Sequence, residues 1–169
     1  EFLPYLCTGY IIWGLLSSII VQSAEVFTQS ENMVKQLSLP LFTYPLTMIA
    51  KCLYIFGHNI IILPLVYLIV GRGINFYILL ALPGFLLLVL NFCWISLIIG
   101  ILCTRFRDMK QIIASVLQVF FYVTPIVWVP SLLPERASML LVEPNPFYHL
   151  LQIVRAPLLG QPPTAIDWL

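Results

Sequence analysis

Apolar residues fill this chain in long runs broken by brief polar knots, without the strict alternation that a barrel strand requires. The stretches Phe2 to Ala24, Cys52 to Gly71, Gly73 to Thr104 and Gln111 to Pro134 contain no Asp, Glu, Lys or Arg. A bilayer core of about 30 Å takes roughly 20 helical residues. Every backbone amide crossing lipid must also find its partner within the segment, which selects helix over an open strand. The pattern therefore predicts an all-α, polytopic membrane protein with transmembrane helices over about 4–23, 42–70, 77–103 and 112–129, followed by short helices near the C-terminus that lie in the outer leaflet or dip into it.

The breaks set the topology. Gly71, Arg72, Gly73, Ile74 and Asn75 form a short polar turn whose glycines suit a reversal, so the second and third spans make an antiparallel hairpin. Arg105, Phe106, Arg107, Asp108, Met109 and Lys110 make the next reversal. With alternating sides, Lys35, Lys51, Arg105, Arg107 and Lys110 share one membrane face, opposite Arg72, Arg136 and Arg155. The positive-inside rule then puts segments 24–41 and 104–111 in the cytoplasm. Arg105, Arg107 and Lys110 fall at the inner headgroup level, as anchors of the topology or as contacts for a lipid or substrate phosphate. Asp108 is close enough in sequence to either arginine for a local ion pair. Past the fourth span, prolines from Pro130 to Pro163 cut the chain into apolar pieces too short to cross, an outward-facing tail over 130–169.

Composition narrows the chemistry. Of 169 residues, 61% are hydrophobic and 9% charged, with a formal net charge of +1, so no basic field exists to draw in nucleic acid. Cys7, Cys52, Cys93 and Cys103 show no metal-ligand spacing and read as small hydrophobes. Pro45, Pro64, Pro83 and Pro125 fall inside the predicted spans and would kink them. His58 lies within a span, where it is either a functional group or a hydrogen-bonding partner for a neighbouring helix. The acids stand outside the spans and scatter over both faces, which argues against an intramembrane enzyme. Only a convergence of Glu135, Glu143 and His149 on a metal would restore that reading. No phosphate loop GxxxxGK[ST] is present, so ATP, if it drives this chain, is bound elsewhere.

Two clusters remain. Gln118, Phe120, Phe121, Tyr122 and Thr124 precede Pro125 at mid-depth of the fourth span, a mixture able to stack on sugar rings and bond hydroxyls, or simply to pack. Ser30 and Glu31 can begin a helix on which Met33, Val34 and Leu37 form an apolar stripe. That stripe suits a partner's groove or a resting place on headgroups.

Read together, three stretches resemble the membrane subunit of ABC-2 type polysaccharide exporters, which move O-antigen, capsule or teichoic acid chains. They are Asn32 through Pro40; Arg105, Phe106, Arg107, Asp108 and Gln111 with Tyr122, Thr124, Pro125, Ile126 and Trp128; and Asn145, Pro146, Phe147 with Arg155, Pro157, Leu158 and Leu159. The similarity covers essentially the whole chain as one transmembrane domain. It implies spans two to five of six, with the first and last missing and the chain a piece of a longer protein. It further implies a homodimer in a bacterial inner or plasma membrane above a separate cytoplasmic ATP-binding subunit. That subunit would hold ATP and magnesium, leaving this chain with no cofactor, metal or catalytic residue of its own. On this resemblance Asn32, Met33, Val34, Lys35 and Leu37 couple to the ATPase, the Gln118 to Thr124 cluster meets a lipid-linked glycan, and Asn145, Pro146, Phe147 and Arg155 belong to an extracellular gate. An ABC-2 exporter of drugs or lipids shares this architecture, and a membrane-embedded glycosyltransferase is the more distant alternative.

Overall fold

The computed structural model describes residues 2–36, 39–71, 76–130, 134, 142–162, 164 and 167. Helix α1 (Phe2–Ser23) is followed by two short helices, α2 (Val26–Gln29) and α3 (Glu31–Gln36). Next come α4 (Thr43–Asn59) and α5 (Ile62–Val70), then a 3-10 turn (Phe76–Leu80) running directly into α6 (Ala81–Arg105). Two further helices are described, α7 (Met109–Val123) and α8 (Pro146–Leu158). Among the described residues there is no strand.

Among the described residues three segments are long and apolar enough to cross a bilayer, namely Phe2–Ser23, Thr43–Val70 and Phe76–Arg105. The fourth expected span is shorter than predicted. Helix α7 stops at Val123 rather than near 129, and its 15 residues rise about 22 Å, short of a full crossing. The cause is Pro125, which forces Thr124 into extended backbone (ψ 132°) and leaves residues 124–128 as a bent, non-helical strap. The second span is also interrupted, because Ile60 and Ile61 form a turn between α4 and α5.

Of the prolines expected to kink the spans, Pro125 breaks α7 and Pro64 follows the Ile60–Ile61 turn by a helical turn, while Pro45 and Pro83 interrupt nothing. Pro4, Pro45, Pro64 and Pro83 each stand third in their helix, in the first turn, where the missing amide would have had no helical acceptor. They mark where helices begin. At the other end of α5, Gly71 adopts a left-handed conformation (φ 69°) as its C-cap, as the reversal demands.

Helix α1 is the hub. Its residues Ile12, Leu16 and Ile19 are fully buried, and it packs on α4, α5, α6, α7 and α8. Most of α5 and α6 instead turns bare aliphatic side chains outward, among them Leu68, Leu82, Leu90 and Ile98, as lipid-facing helices do. At one end of the bundle, Gly100 of α6 lets α2 sit so close that a Cβ there would lie 2.9 Å from Val26 and Phe27. Lys110 forms an ion pair with Glu25 at the same end, tying the start of α7 to the foot of α1. Segments 24–36 and 105–110 therefore share one end, as the alternation of spans predicts. The local pair expected for Asp108 is not formed. It stands at the N-cap position of α7 with no side-chain bond to that helix and no ion pair among the described residues, while Lys110 reaches across to Glu25 instead.

Of the two placements expected for a C-terminal helix, α8 takes the dipping one. It enters the bundle, with Leu151, Ile153, Val154, Arg155 and Ala156 buried against its neighbours. Its first turn brings Phe147 to 5.5 Å from Trp13, which stands about 15 Å from either end of α1. Its last turn is held by Tyr67, whose hydroxyl donates to the Leu158 carbonyl at 2.8 Å. The helix thus runs from mid-depth toward the end opposite α3.

Candidate functional site

Non-helical backbone at membrane depth is tolerated only if its polar atoms are paired. The strap after α7 shows how this sequence does it. Thr124 N–H donates to the Phe120 carbonyl at 2.8 Å, Ile126 N–H to the Thr124 carbonyl at 2.7 Å, and the Trp128 indole N–H to the Tyr122 carbonyl at 3.0 Å. The Pro125 carbonyl receives two side-chain donors, the Tyr5 hydroxyl at 3.0 Å and the Arg155 guanidinium at 2.7 Å.

Arg155 is 1% exposed and has no carboxylate partner among the described residues. Its Nε and Nη2 donate to Gln152 Oε1 at 3.1 and 2.9 Å, and its guanidinium carbon lies 4.2 Å from the centroid of the Tyr5 ring. A buried cation is tolerable here because neutral oxygens and an aromatic face surround it. Asn145, 4% exposed, caps α8 by accepting from Phe147 N–H at 3.0 Å while its amide donates to Thr124 Oγ1 at 2.9 Å. Asn145, Phe147 and Arg155, three of the four residues expected at a gate, are therefore brought together with the end of α7 and its strap.

The five residues singled out on the fourth span divide between two faces. Phe120 turns toward α8, its ring 4.7 Å from Phe147, and Thr124 is buried with Asn145. Gln118, Phe121 and Tyr122 line a groove of about 410 Å³ between α1 and α7, opposite Tyr10, Trp13 and Ser17. Gly14 opens this groove further, with nothing within 4 Å of where its Cβ would be. Tyr122 and Tyr10 are 67% and 62% exposed in the single chain. Tyr5, Tyr10, Trp13, Ser17 and Gln152 escaped the sequence reading, although Tyr10, Gly14, Ser17 and Val21 recur at helical spacing on one side of α1.

At the opposite end, α3 begins directly after Ser30, as the sequence suggests. Asn32, Met33 and Lys35 are exposed, and Val34 turns inward; Leu37 lies outside the described residues. Lys35 pairs with Glu31 and holds that carboxyl below its usual range, chiefly by hydrogen bonding. Behind α3 a cleft of about 550 Å³ is bounded by Arg105 and Arg107 from the end of α6 and its loop. His58 is exposed on α4, and no side-chain hydrogen bond to it is formed among the described residues.

The metal constellation considered for an enzyme finds no support in the geometry of its described members. Glu143 meets His149 through its backbone carbonyl, 2.8 Å from Nε2, and the other ring nitrogen bonds Asp167 at 2.8 Å. Glu135 lies outside the described residues, as do Arg72, Arg136 and Trp168.

Apolar helices long enough to cross, lipid-facing aliphatic surfaces and a re-entrant helix that pairs a broken span define a polytopic α-helical membrane protein. The family model of the ABC-2 type transporter matches residues 2–159, and the chain belongs to that family. A comparison with curated proteins gave no match. Membership makes the chain the membrane component of an ABC transporter, a permease rather than the ATP-hydrolysing part.

Proposed function

We propose that this chain is the membrane subunit of an ATP-driven exporter that moves polysaccharide or a lipid-linked glycan, of O-antigen, capsule or teichoic acid type, outward across a bacterial inner or plasma membrane. The observation that carries this reading is the groove between α1 and α7. Trp13, Phe121 and the two tyrosines offer ring faces, and Gln118 and Ser17 offer hydrogen bonds, at a depth where an ordinary lipid-facing surface would be aliphatic. A second copy of the chain facing this groove would close it into a conduit, since one protomer leaves it open on one side. A chain of sugars can slide along such a lining, because stacking is tolerant of which ring occupies it while hydroxyls keep partners throughout.

The end carrying α3, Arg105, Arg107 and Lys110 faces the cytoplasm in this reading, by its share of the basic residues. There α3, with Met33 and Lys35 exposed, meets the ATPase. Closure of the ATPase pair on ATP pushes α3. Since α2 is seated on Gly100 and Glu25 is bound to Lys110, the push reaches α6 and α7 together. Helix α7 ends on the strap that α8 and Tyr5 hold, so its movement alters the gate.

One observation favours a drug or lipid exporter instead. The cleft of about 430 Å³ between α6 and α7 is lined only by apolar residues, including Ile95, Ile99, Ile112 and Val116. The test is Phe121→Ala combined with Tyr122→Ala, scored as glycan delivered to the cell surface per molecule of protein in the membrane. The glycan reading expects a fall of at least about tenfold, equivalent to about 1.4 kcal/mol lost with the two rings. Export that merely tracks protein abundance would reduce these residues to packing.

A further inference from the structure

The cleft behind α3 has features that ATPase docking does not use. Its walls combine Phe27, Val34, Leu41 and Ile101 with a rim of charges. On that rim Lys35 and Glu31 neutralise one another, whereas Arg105 and Arg107 have no ion-pair partner among the described residues. Asp108, the nearest acid in sequence, forms none. The cleft therefore presents about two uncompensated positive charges above an apolar floor.

Its position fits a lipid better than a soluble anion. Ile101 and Thr104 belong to the final turn of α6, where that apolar helix leaves the membrane, so the cavity straddles the boundary between acyl chains and headgroups. Arg105 and Arg107 follow directly from that last turn, while Phe27, Val34 and Leu41 of the segment joining α1 to α4 close the apolar side of the cleft. A free phosphate would need the first and gain nothing from the second. The volume, about 550 Å³, exceeds what an inorganic anion fills and accommodates a headgroup with the beginning of a chain.

We propose that this cleft is a binding site for one anionic phospholipid of the surrounding leaflet, its phosphate held by Arg105 and Arg107 and its first acyl carbons by Phe27, Leu41 and Ile101. The lipid would sit between α3 and the end of α6, filling the gap in the path from ATPase to span. The site rests on the cytoplasmic placement of this end, but its occupancy is measured without transport, so its failure leaves the glycan reading intact.

The experiment uses the full chain in phosphatidylcholine vesicles doped with spin-labelled phosphatidylglycerol. The signal is the motionally restricted fraction, relative to spin-labelled phosphatidylcholine. The paired substitution Arg105→Gln with Arg107→Gln should lower the preference for phosphatidylglycerol at least about fivefold, given roughly 1 kcal/mol per cation near the surface. Lys51→Gln, which removes a cation outside the cleft, should leave it unchanged. Leu41→Gln keeps every charge but spoils the apolar wall and should also weaken the preference. An equal fall in the Lys51 variant would reduce the effect to general surface charge and overturn the proposal. So would an unchanged preference in the paired arginine variant, or displacement of the spin label by inorganic phosphate with Leu41→Gln silent, which would assign the site to a soluble anion. Loss of ATPase capture in the arginine variant with lipid retention intact would give the cleft to the protein partner and equally overturn it.

Discussion

The Pro125 carbonyl has two side-chain donors that can be removed separately, and this makes the α7 strap open to measurement. Arg155→Met keeps most of the side-chain stem but deletes one charged hydrogen bond to Pro125 and two to Gln152. Hydrogen bonds to charged groups contribute about 1.5–3 kcal/mol each, and the cation's own desolvation penalty offsets part of the loss when it goes. No ion-paired carboxylate is orphaned, since the buried Asp167 acts on Arg155 only at a distance and keeps its bonds to His149 and Thr164, so the net cost should be about 2 kcal/mol. Tyr5→Phe retains the ring under the guanidinium and removes the hydroxyl shared between the Pro125 carbonyl at 3.0 Å and the Trp128 carbonyl at 3.4 Å, costing about 1 kcal/mol. In either single variant the Pro125 carbonyl keeps a donor. In the double variant it has none, at membrane depth, which should add about 1–2 kcal/mol beyond the sum of the singles. Unfolding in mixed micelles by titration with dodecyl sulfate, followed by tryptophan fluorescence, reads all four proteins. Additivity within about 0.5 kcal/mol would refute the shared-acceptor reasoning.

Other predictions concern different links in the chain. A Cβ at Gly84 would lie 2.8 Å from the Ile153 carbonyl oxygen, which Pro157 leaves without its helical donor; Gly84→Val should cost about 1–3 kcal/mol. Gly100→Val meets only side chains, so a smaller loss is expected in the same unfolding assay. Met33→Glu should reduce ATPase pull-down about tenfold without lowering membrane insertion, as expected for an exposed apolar anchor; unchanged pull-down would remove α3 from the docking surface.

Much of the fold is legible in the sequence because lipid leaves the backbone so few options. The uncharged runs give the three crossing segments, and Gly71 and the Arg105 to Lys110 knot mark the reversals. What the sequence leaves open is where a proline falls within its helix. Pro45, Pro64 and Pro83 look like kinks in an apolar run, yet each occupies a first turn, a distinction only the hydrogen-bond register makes. The depth of α8 is hidden for a related reason. Its apolar residues suit an interface as well as a core, and only the pairing of Arg155 and Tyr5 with a carbonyl some thirty residues or more away along the chain shows that it enters the bundle. The site was legible in part. Gln118, Phe121 and Tyr122 line the groove, but Phe120 and Thr124 from the same cluster point to α8, since successive positions on a helix turn by about 100°. The α1 side of the groove, Tyr10 and Ser17, hides in a run that length alone identifies as a span.

The most direct test of the export reading is reconstitution of the chain with its ATPase in vesicles, counting lipid-linked glycan that becomes accessible on the far leaflet. The account predicts ATP-dependent appearance of glycan that falls with Phe121→Ala and Tyr122→Ala, and ATP hydrolysis that rises when the glycan is present. Vesicles that move apolar drugs or phospholipid on ATP while leaving glycan where it was would contradict it.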